Sequence, residues 1–209
     1  IYLFQRWRQE TIEAGLFKRP WLMPLLIGWG IGFVILISQY GLQYWLGWMA
    51  WEQNTTLLWF VFCQNIPVAL GLALVEEWFF RGWLWHVLQT RFSLFWCLLL
   101  QSYMYAQLHF VPLDMTFIGL FMAGIFLGVI RFRTGSLWMS IGFHASWIYL
   151  ISVTTQLHCF HFQDDTLFFT GGYYPVSGLI GTGLLVIIIC SSKLISNRPG
   201  KGRLETEKH

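Results

Sequence analysis

Apolar residues occur in long blocks along the chain, and short polar or charged stretches separate one block from the next. About six blocks can be distinguished, over residues 21–49, 57–75 with a continuation towards 90, 92–110, 115–130, 136–155 and 174–192. A helix needs roughly 17–25 predominantly apolar residues to cross a hydrocarbon core of about 30 Å. The pattern therefore predicts an all-α fold, a polytopic membrane helix bundle with about six transmembrane helices.

The composition supports a single membrane domain. Of the 209 residues, 56% are hydrophobic and 11% are charged, whereas soluble domains carry about 25% charged residues. We expect a cytoplasmic N-terminal segment (1–20), a transmembrane domain (21–192) and a basic cytoplasmic tail (193–209).

Inside the block 115–130, the spacing of Gly124 and Gly128 favours close packing against another helix of the same chain.

The charged residues follow the division into spans. Apart from Arg81, the basic residues fall in stretches that would share one face of the membrane: Arg6, Arg8, Lys18, Arg19, Arg91, Arg131, Arg133 and those from Lys193 onwards. The charged residues that would lie on the opposite face are all acidic, namely Glu52, Asp114, Asp164 and Asp165. The positive-inside rule then places both termini in the cytoplasm. Because topology accounts for the net charge of +3, we expect contact with the lipid bilayer and none with nucleic acid. We expect a multi-pass protein of a bacterial inner membrane or of an organellar membrane of bacterial descent.

Three ionisable residues interrupt the apolar stretch VEEWFFRGWLW, residues 75–85. A charge at the centre of a membrane costs about 2.5–3.5 kcal/mol even on lenient insertion scales, so each needs a partner. Glu77 and Arg81 are one helical turn apart and are predicted to form an ion pair. Glu76 points about 100° away from Glu77 and has no cation nearby in the sequence. A polar network that only joins helices would explain the cluster, but intramembrane ionisable groups are more often functional.

Two histidines stand in similar apolar surroundings. If the second and third blocks form a hairpin that turns near Arg91, Glu76 and His109 both lie on the order of 22–26 Å from the turn. A carboxylate beside an imidazole is the pair needed to deprotonate a water, so hydrolysis is a plausible activity. His144 lies only about 12 Å from the predicted cytoplasmic turn that contains Arg133. It can therefore meet Glu76 and His109 only if a helix is tilted, offset or broken, which Pro67 permits.

The three motifs that contain these residues occur in a characteristic order. EEWFFR (76–81), YAQLH (105–109) and HASWI (144–148) resemble the motifs of the CPBP family of intramembrane proteases, also called the Abi or CAAX amino-terminal protease family. The family pattern is Glu-Glu-x-x-x-Arg, then Phe-x-x-x-His, then His-x-x-x-Asn or Asp. The stretch 124–147 also resembles the usual run into the third motif, and the resemblance covers roughly residues 60–190.

This resemblance implies a role for each matching residue. Glu76 corresponds to the base that activates water, and His109 to the histidine that holds the water or carries its proton. Glu77 and Arg81 correspond to the supporting pair. His144 corresponds to the histidine that stabilises the oxyanion of the tetrahedral intermediate.

Two positions depart from the family pattern. Tyr105 replaces the usual Phe one turn before His109, which keeps an aromatic ring and adds a hydroxyl group. Ile148 replaces the Asn or Asp of the third motif, and loss of one oxyanion donor costs on the order of 10²–10³ in turnover. Trp147 and Ser140 share the helical face of His144 and are candidate substitute donors.

Three functions remain open from the sequence. The resemblance implies an intramembrane endopeptidase acting on a peptide or membrane-protein substrate, with a prenylated tail among the candidates. Ile148 favours instead a catalytically impaired relative that serves as a membrane binding or immunity partner. A proton-linked transporter is a third function, since Glu, His and Arg also build proton relays. The family resemblance leaves metal dependence undecided; Glu76, His109 and His144 would be the ligands of a divalent ion such as zinc.

Overall fold

Helices form most of the described chain. The structure, a computed structural model, describes residues 20–52, 58–163, 166–172, 174–175 and 178–191. Its elements, in chain order, are α1 (Leu22–Trp45), β1 (Met49–Trp51), α2 (Leu58–Glu77), a π-helical turn (Trp78–Leu84), α3 (Trp85–Gln89), α4 (Leu94–Gln107), α5 (Met115–Thr134), α6 (Leu137–Gln156), β2 (Phe160–Phe162), α7 (Leu167–Thr170) and α8 (Leu179–Ser191). The predicted N-terminal segment up to residue 19, the basic tail and the predicted outer-face residues Asp164 and Asp165 lie outside the described residues.

Four helices are long and apolar enough to cross a membrane, namely Leu22–Trp45, Trp59–Gln89, Met115–Thr134 and Leu137–Gln156. Large apolar side chains cover their outer surface; Trp59, for example, is 79% exposed and Val34 is 63% exposed. Such a surface suits lipid and not water. The predicted all-α membrane bundle is thus confirmed. Helices α4 and α8, with 14 and 13 residues, are shorter than a full span, so the number of six spans stays a prediction.

The helices define two ends of the bundle. At one end lie the turns 90–93 and 135–136, which we call the arginine end because Arg91, Arg131 and Arg133 lie at or next to these turns. Trp21, just before α1, also belongs there, since its ring lies 5.5 Å from that of Trp138. At the other end, the ribbon end, β1 pairs antiparallel with β2 and the loop 108–114 joins α4 to α5.

Helices α4 and α5 pack closely because α5 carries glycines where the two meet. A Cβ atom on Gly124 would lie 2.9 Å from the Cα of Ser102, and one on Gly128 would lie 2.8 Å from Leu98 Cδ2. The predicted close packing within the chain is confirmed. From Gly124 to Gly128 the chain moves forward along α5, while the residues contacted move back from Ser102 to Leu98 along α4. The two helices are therefore antiparallel, and the start of α4 lies beside the end of α5.

The helix that carries the first motif changes its winding at that motif. Pro67 lies inside α2, and the helix continues past it to Glu77. The α-helical pattern gives way to the π-helical turn directly after the two glutamates. π-Turns inside α-helices frequently occur at functional sites. Pro67, which permitted a broken helix, does not break it, and the winding changes at residues 78–84 instead.

Candidate active site

Glu76 lies between the two histidines predicted from the sequence. Its Oε2 atom is 4.0 Å from His109 Nε2 and 3.8 Å from His144 Nε2. This oxygen is buried and has no hydrogen-bond partner among the described residues, although the side chain as a whole is partly exposed. The structure thus brings together Glu76, His109 and His144, which are supplied by α2, by the loop after α4 and by α6.

Glu77 sits in a fully buried ion pair. Arg81 Nη1 donates to Glu77 Oε1 over 3.0 Å, and neither side chain has any exposed surface. The predicted pair is therefore confirmed. Arg81 Nη2 also donates to the carbonyl oxygen of Gly124 at 3.2 Å, and its guanidinium carbon lies 4.5 Å from the centre of the Tyr105 ring. Such contacts compensate for the removal of the cation from solvent.

The same carboxylate orients His144. His144 Nδ1 lies 2.9 Å from Glu77 Oε1, and because a carboxylate accepts hydrogen bonds, Nδ1 carries the proton and donates it. His144 Nε2 then faces the site, 3.3 Å from the hydroxyl oxygen of Tyr105. Glu77 therefore links the Arg81 cation to the ring of His144.

His109 has its tautomer set by the backbone. Its Nδ1 lies 2.8 Å from the carbonyl oxygen of Tyr105, which can only accept, so Nδ1 carries a proton. In the neutral ring, Nε2 is then an acceptor that faces Glu76. The ring centres of His109 and Tyr105 are 4.6 Å apart, and this packing limits how the imidazole can turn. Phe110, the next residue, has φ 51°, an uncommon backbone conformation for a bulky side chain.

A cavity of about 650 Å³ adjoins the histidines, a size typical of ligand-binding sites. Its lining comes from the end of α4, the loop 108–114, α5, α6 and the segment after α7: Tyr105, His109, Val111, Thr116, Leu120, Ala123, His144, Trp147, Ile148, Ile151, Ser152, Thr155, Gln156 and Tyr174. The cavity runs from the histidines towards the ribbon end, where Val111 and Tyr174 lie.

The candidate substitute donors behave differently. Trp147 lines the cavity, and its indole Nε1 is buried without a hydrogen-bond partner in the described part of the chain. Ile148 also lines the cavity, so the third-motif departure puts an apolar side chain into it. Ser140 does not line the cavity and donates to the carbonyl oxygen of Leu137 at 3.0 Å. Trp147 is therefore the better placed of the two donors.

Glu76, His109 and His144 are also the predicted ligands of a divalent metal ion. Zinc needs nitrogen and oxygen ligands about 2.0–2.2 Å from one point. The hydrogen bond from His144 Nδ1 to Glu77 leaves Nε2 as the ring atom that faces the site, and metal-binding histidines commonly donate their other ring N–H in this way. Within residues 20–52, 58–163 and the short described stretches after them, no group of three His, Cys, Asp or Glu side chains is arranged to hold a metal ion. Metal binding by Glu76, His109 and His144 therefore stays a prediction.

One polar contact to the site was not predicted. Gln101 Nε2 donates to the Gly124 carbonyl oxygen over 3.0 Å, the same oxygen that accepts from Arg81. Gln101 is fully buried and therefore helps to fix the backbone against which Arg81 rests. The signal in the sequence was a glutamine inside an apolar block, four residues before Tyr105.

The comparison with protein families agrees with the three motifs. Residues 52–150 match the family described as type II CAAX prenyl endopeptidase Rce1-like, and this range contains Glu76, His109 and His144. In this region the chain is thus similar to the CPBP/CAAX protease family, and this similarity together with its four long apolar helices indicates an integral membrane protein. No match was found among curated proteins or among solved structures.

Proposed function

We propose that this chain is an intramembrane endopeptidase in which Glu76 and His109 activate a water molecule. The observation that carries the proposal is the buried Glu76 Oε2 atom, which has no hydrogen-bond partner within the described residues and lies 4.0 Å from His109 Nε2. This distance is too long for a direct hydrogen bond and suits a bridging water. Both atoms are acceptors, so one water donates a proton to each and keeps its lone pairs free for attack.

Hydrolysis then follows from the residues in place. The water oxygen forms a bond to the substrate carbonyl carbon while its proton moves to Glu76. The tetrahedral intermediate collapses, the C–N bond breaks, and Glu76 returns the proton to the leaving amine. One water is consumed, and a carboxylic acid and an amine are released. The apolar surroundings strengthen each electrostatic contact in the reaction.

His144 is suited to stabilise the oxyanion. Its Nδ1–H is held by Glu77, so the ring must gain a second proton before Nε2 can donate. The neighbouring carboxylate stabilises that imidazolium, as the aspartate does in serine proteases. An imidazolium at Nε2 then donates to the oxygen on which negative charge develops.

The proposal is tested by peptide hydrolysis in detergent micelles. The wild-type chain, Glu76→Gln and His109→Ala are compared on a peptide library that includes prenylated members. Glu52→Gln is the matched control, because Glu52 is 52% exposed at the ribbon end. We expect cleavage by wild type and the control, and none by the two site variants at equal helical content. Equal cleavage by Glu76→Gln would refute the mechanism, and a chelator arm tests metal dependence.

A second candidate function is supported by Ile148. Its apolar side chain lines the cavity at the position where the family pattern has an amide or a carboxyl group. The alternative is a catalytically impaired relative that binds a peptide or membrane protein without cleaving it. Cleavage by Ile148→Asn, together with none by wild type in the same assay, would favour this alternative.

A further inference from the structure

The described residues that line the cavity place it towards one end of the bundle. Its lining includes His109 and His144 and also Val111 in the loop 108–114, Thr155 near the end of α6 and Tyr174. Val111, Thr155 and Tyr174 lie towards the ribbon end. None of the residues in the turns 90–93 and 135–136, at the arginine end, lines it.

The charges of the described residues distinguish the two ends. Apart from the buried Arg81, the basic side chains among them, those of Arg91, Arg131 and Arg133, belong to the arginine end. The ribbon end carries the acidic Glu52 and Asp114, and Asp114 caps α5 by accepting from the backbone N–H of Thr116. Short loops rich in Lys and Arg remain in the cytoplasm. The arginine end is therefore the cytoplasmic one, and the ribbon end faces the other compartment.

The lining of the cavity selects its occupant. Among the described residues, no Asp, Glu, Lys or Arg side chain lines it, and a charged group brought into it would lose its hydration without a counter-charge. Leu120, Ile148 and Ile151 supply apolar surface. Near the ribbon end, the hydroxyl oxygen of Thr155 is buried and has no hydrogen-bond partner within the described residues. An uncharged extended peptide matches this lining, because its backbone can form a hydrogen bond with the Thr155 hydroxyl group and its side chains can pack against the apolar lining residues.

We propose that the cavity opens on the non-cytoplasmic face and that its substrate is an uncharged, apolar peptide segment presented from that face. The part of this inference that concerns a substrate rests on the proposed peptidase function. The side on which the cavity opens does not depend on that function. The chemistry fits a segment close to the membrane anchor of a protein already translocated. It does not fit a tail that arrives from the cytoplasm.

The side of opening is tested by thiol labelling of the full chain. The four native cysteines are replaced by alanine, and Ser152→Cys, Leu113→Cys or Thr90→Cys is added singly. Ser152 lines the cavity, Leu113 is 80% exposed at the ribbon end, and Thr90 is exposed at the arginine end. A small membrane-impermeant methanethiosulfonate reagent is applied to right-side-out and inside-out membrane vesicles.

We expect Ser152→Cys and Leu113→Cys to react faster in right-side-out vesicles and Thr90→Cys to react faster in inside-out vesicles. Equal or faster reaction of Ser152→Cys in inside-out vesicles would overturn the inference. So would a failure of Ser152→Cys to react where Leu113→Cys does. Labelling needs no enzymatic turnover, so it decides the side of opening even if the chain hydrolyses nothing.

The substrate class is tested by hydrolysis from each side. The probe is an uncharged apolar peptide with a sulfonated, membrane-impermeant fluorophore and quencher outside the cleaved segment. We expect faster cleavage in right-side-out vesicles, and a slower rate when lysine or aspartate replaces a central residue. Cleavage in detergent that in vesicles occurs only from the cytoplasmic side would overturn this inference and leave the peptidase function intact. No cleavage in detergent, by wild type or by Ile148→Asn, would instead count against the peptidase function.

Discussion

His144 and Glu77 are 67 positions apart in the chain and share a buried hydrogen bond of 2.9 Å. This bond connects α6 to the end of α2 and joins the Arg81 cation to the histidine proposed to stabilise the oxyanion. Glu77 does not face the cavity, so it is a positioning residue. Its carboxylate serves the ion pair and the imidazole at once, and changes at Glu77 therefore affect both stability and turnover.

The first prediction concerns the ion pair. Removing one partner of a buried pair leaves an uncompensated charge, which typically costs about 3–5 kcal/mol, whereas apolar replacement of both is often nearly neutral. We therefore expect Arg81→Met to lower the free energy of unfolding in micelles far more than Glu77→Leu/Arg81→Met does. The double variant should still be inactive, because His144 has lost its acceptor. Equal destabilisation by the single and double variants would contradict the ion-pair interpretation.

The second prediction separates the ring of Tyr105 from its hydroxyl. The ring stacks on Arg81 with a separation of 4.5 Å, and such contacts contribute on the order of 0.5–2 kcal/mol. Tyr105→Phe keeps this ring and matches the residue usual in the family, so we expect stability and hydrolysis close to wild type. Tyr105→Leu should be less stable. A large loss of turnover in Tyr105→Phe would instead make the hydroxyl group part of the oxyanion site.

The third prediction concerns the indole of Trp147. If its N–H replaces the missing third-motif donor, Trp147→Phe should lower kcat by on the order of 10²–10³ while KM changes little. Adding Ile148→Asn to that variant should restore much of the lost rate. Trp59→Phe is the matched control, because Trp59 is 79% exposed and is not among the residues that line the cavity. Wild-type turnover in Trp147→Phe would exclude the indole as the donor.

The sequence predicted the local parts of the site better than the contacts between helices. The Glu77–Arg81 pair follows from helical spacing alone, and the approach of Glu76 to His109 follows from equal rise on two sides of a turn. The bond between Glu77 and His144 depends on how α6 packs, which no local pattern encodes. The π-helical turn at 78–84 also had no sequence signal. Pro67 drew attention to a position where the helix in fact continues.

The lengths of the helices were also not predictable from local sequence patterns. The third predicted block, 92–110, is one apolar run, but α4 occupies only Leu94–Gln107. The chain leaves the helix before His109 and turns through Phe110. That early end places the histidine beside Glu76, within the depth of the bundle. Hydropathy alone cannot reveal it, because the residues that form the turn are themselves apolar.

The last prediction tests whether the packing of α4 against α5 supports the active site. A methyl group on Gly124 would lie within 3.0 Å of three atoms of Ser102, and overpacking of this kind costs about 1–3 kcal/mol. It would also displace the Gly124 carbonyl oxygen, which accepts from Arg81 and Gln101. We expect Gly124→Ala to be less stable than wild type and to lose hydrolytic activity. Gly71→Ala is the matched control, since a methyl group there meets nothing within 4 Å. If both variants retain wild-type stability and turnover, the close approach of α4 and α5 does not hold Arg81, and the buried pair must be positioned by Tyr105 and His144 alone.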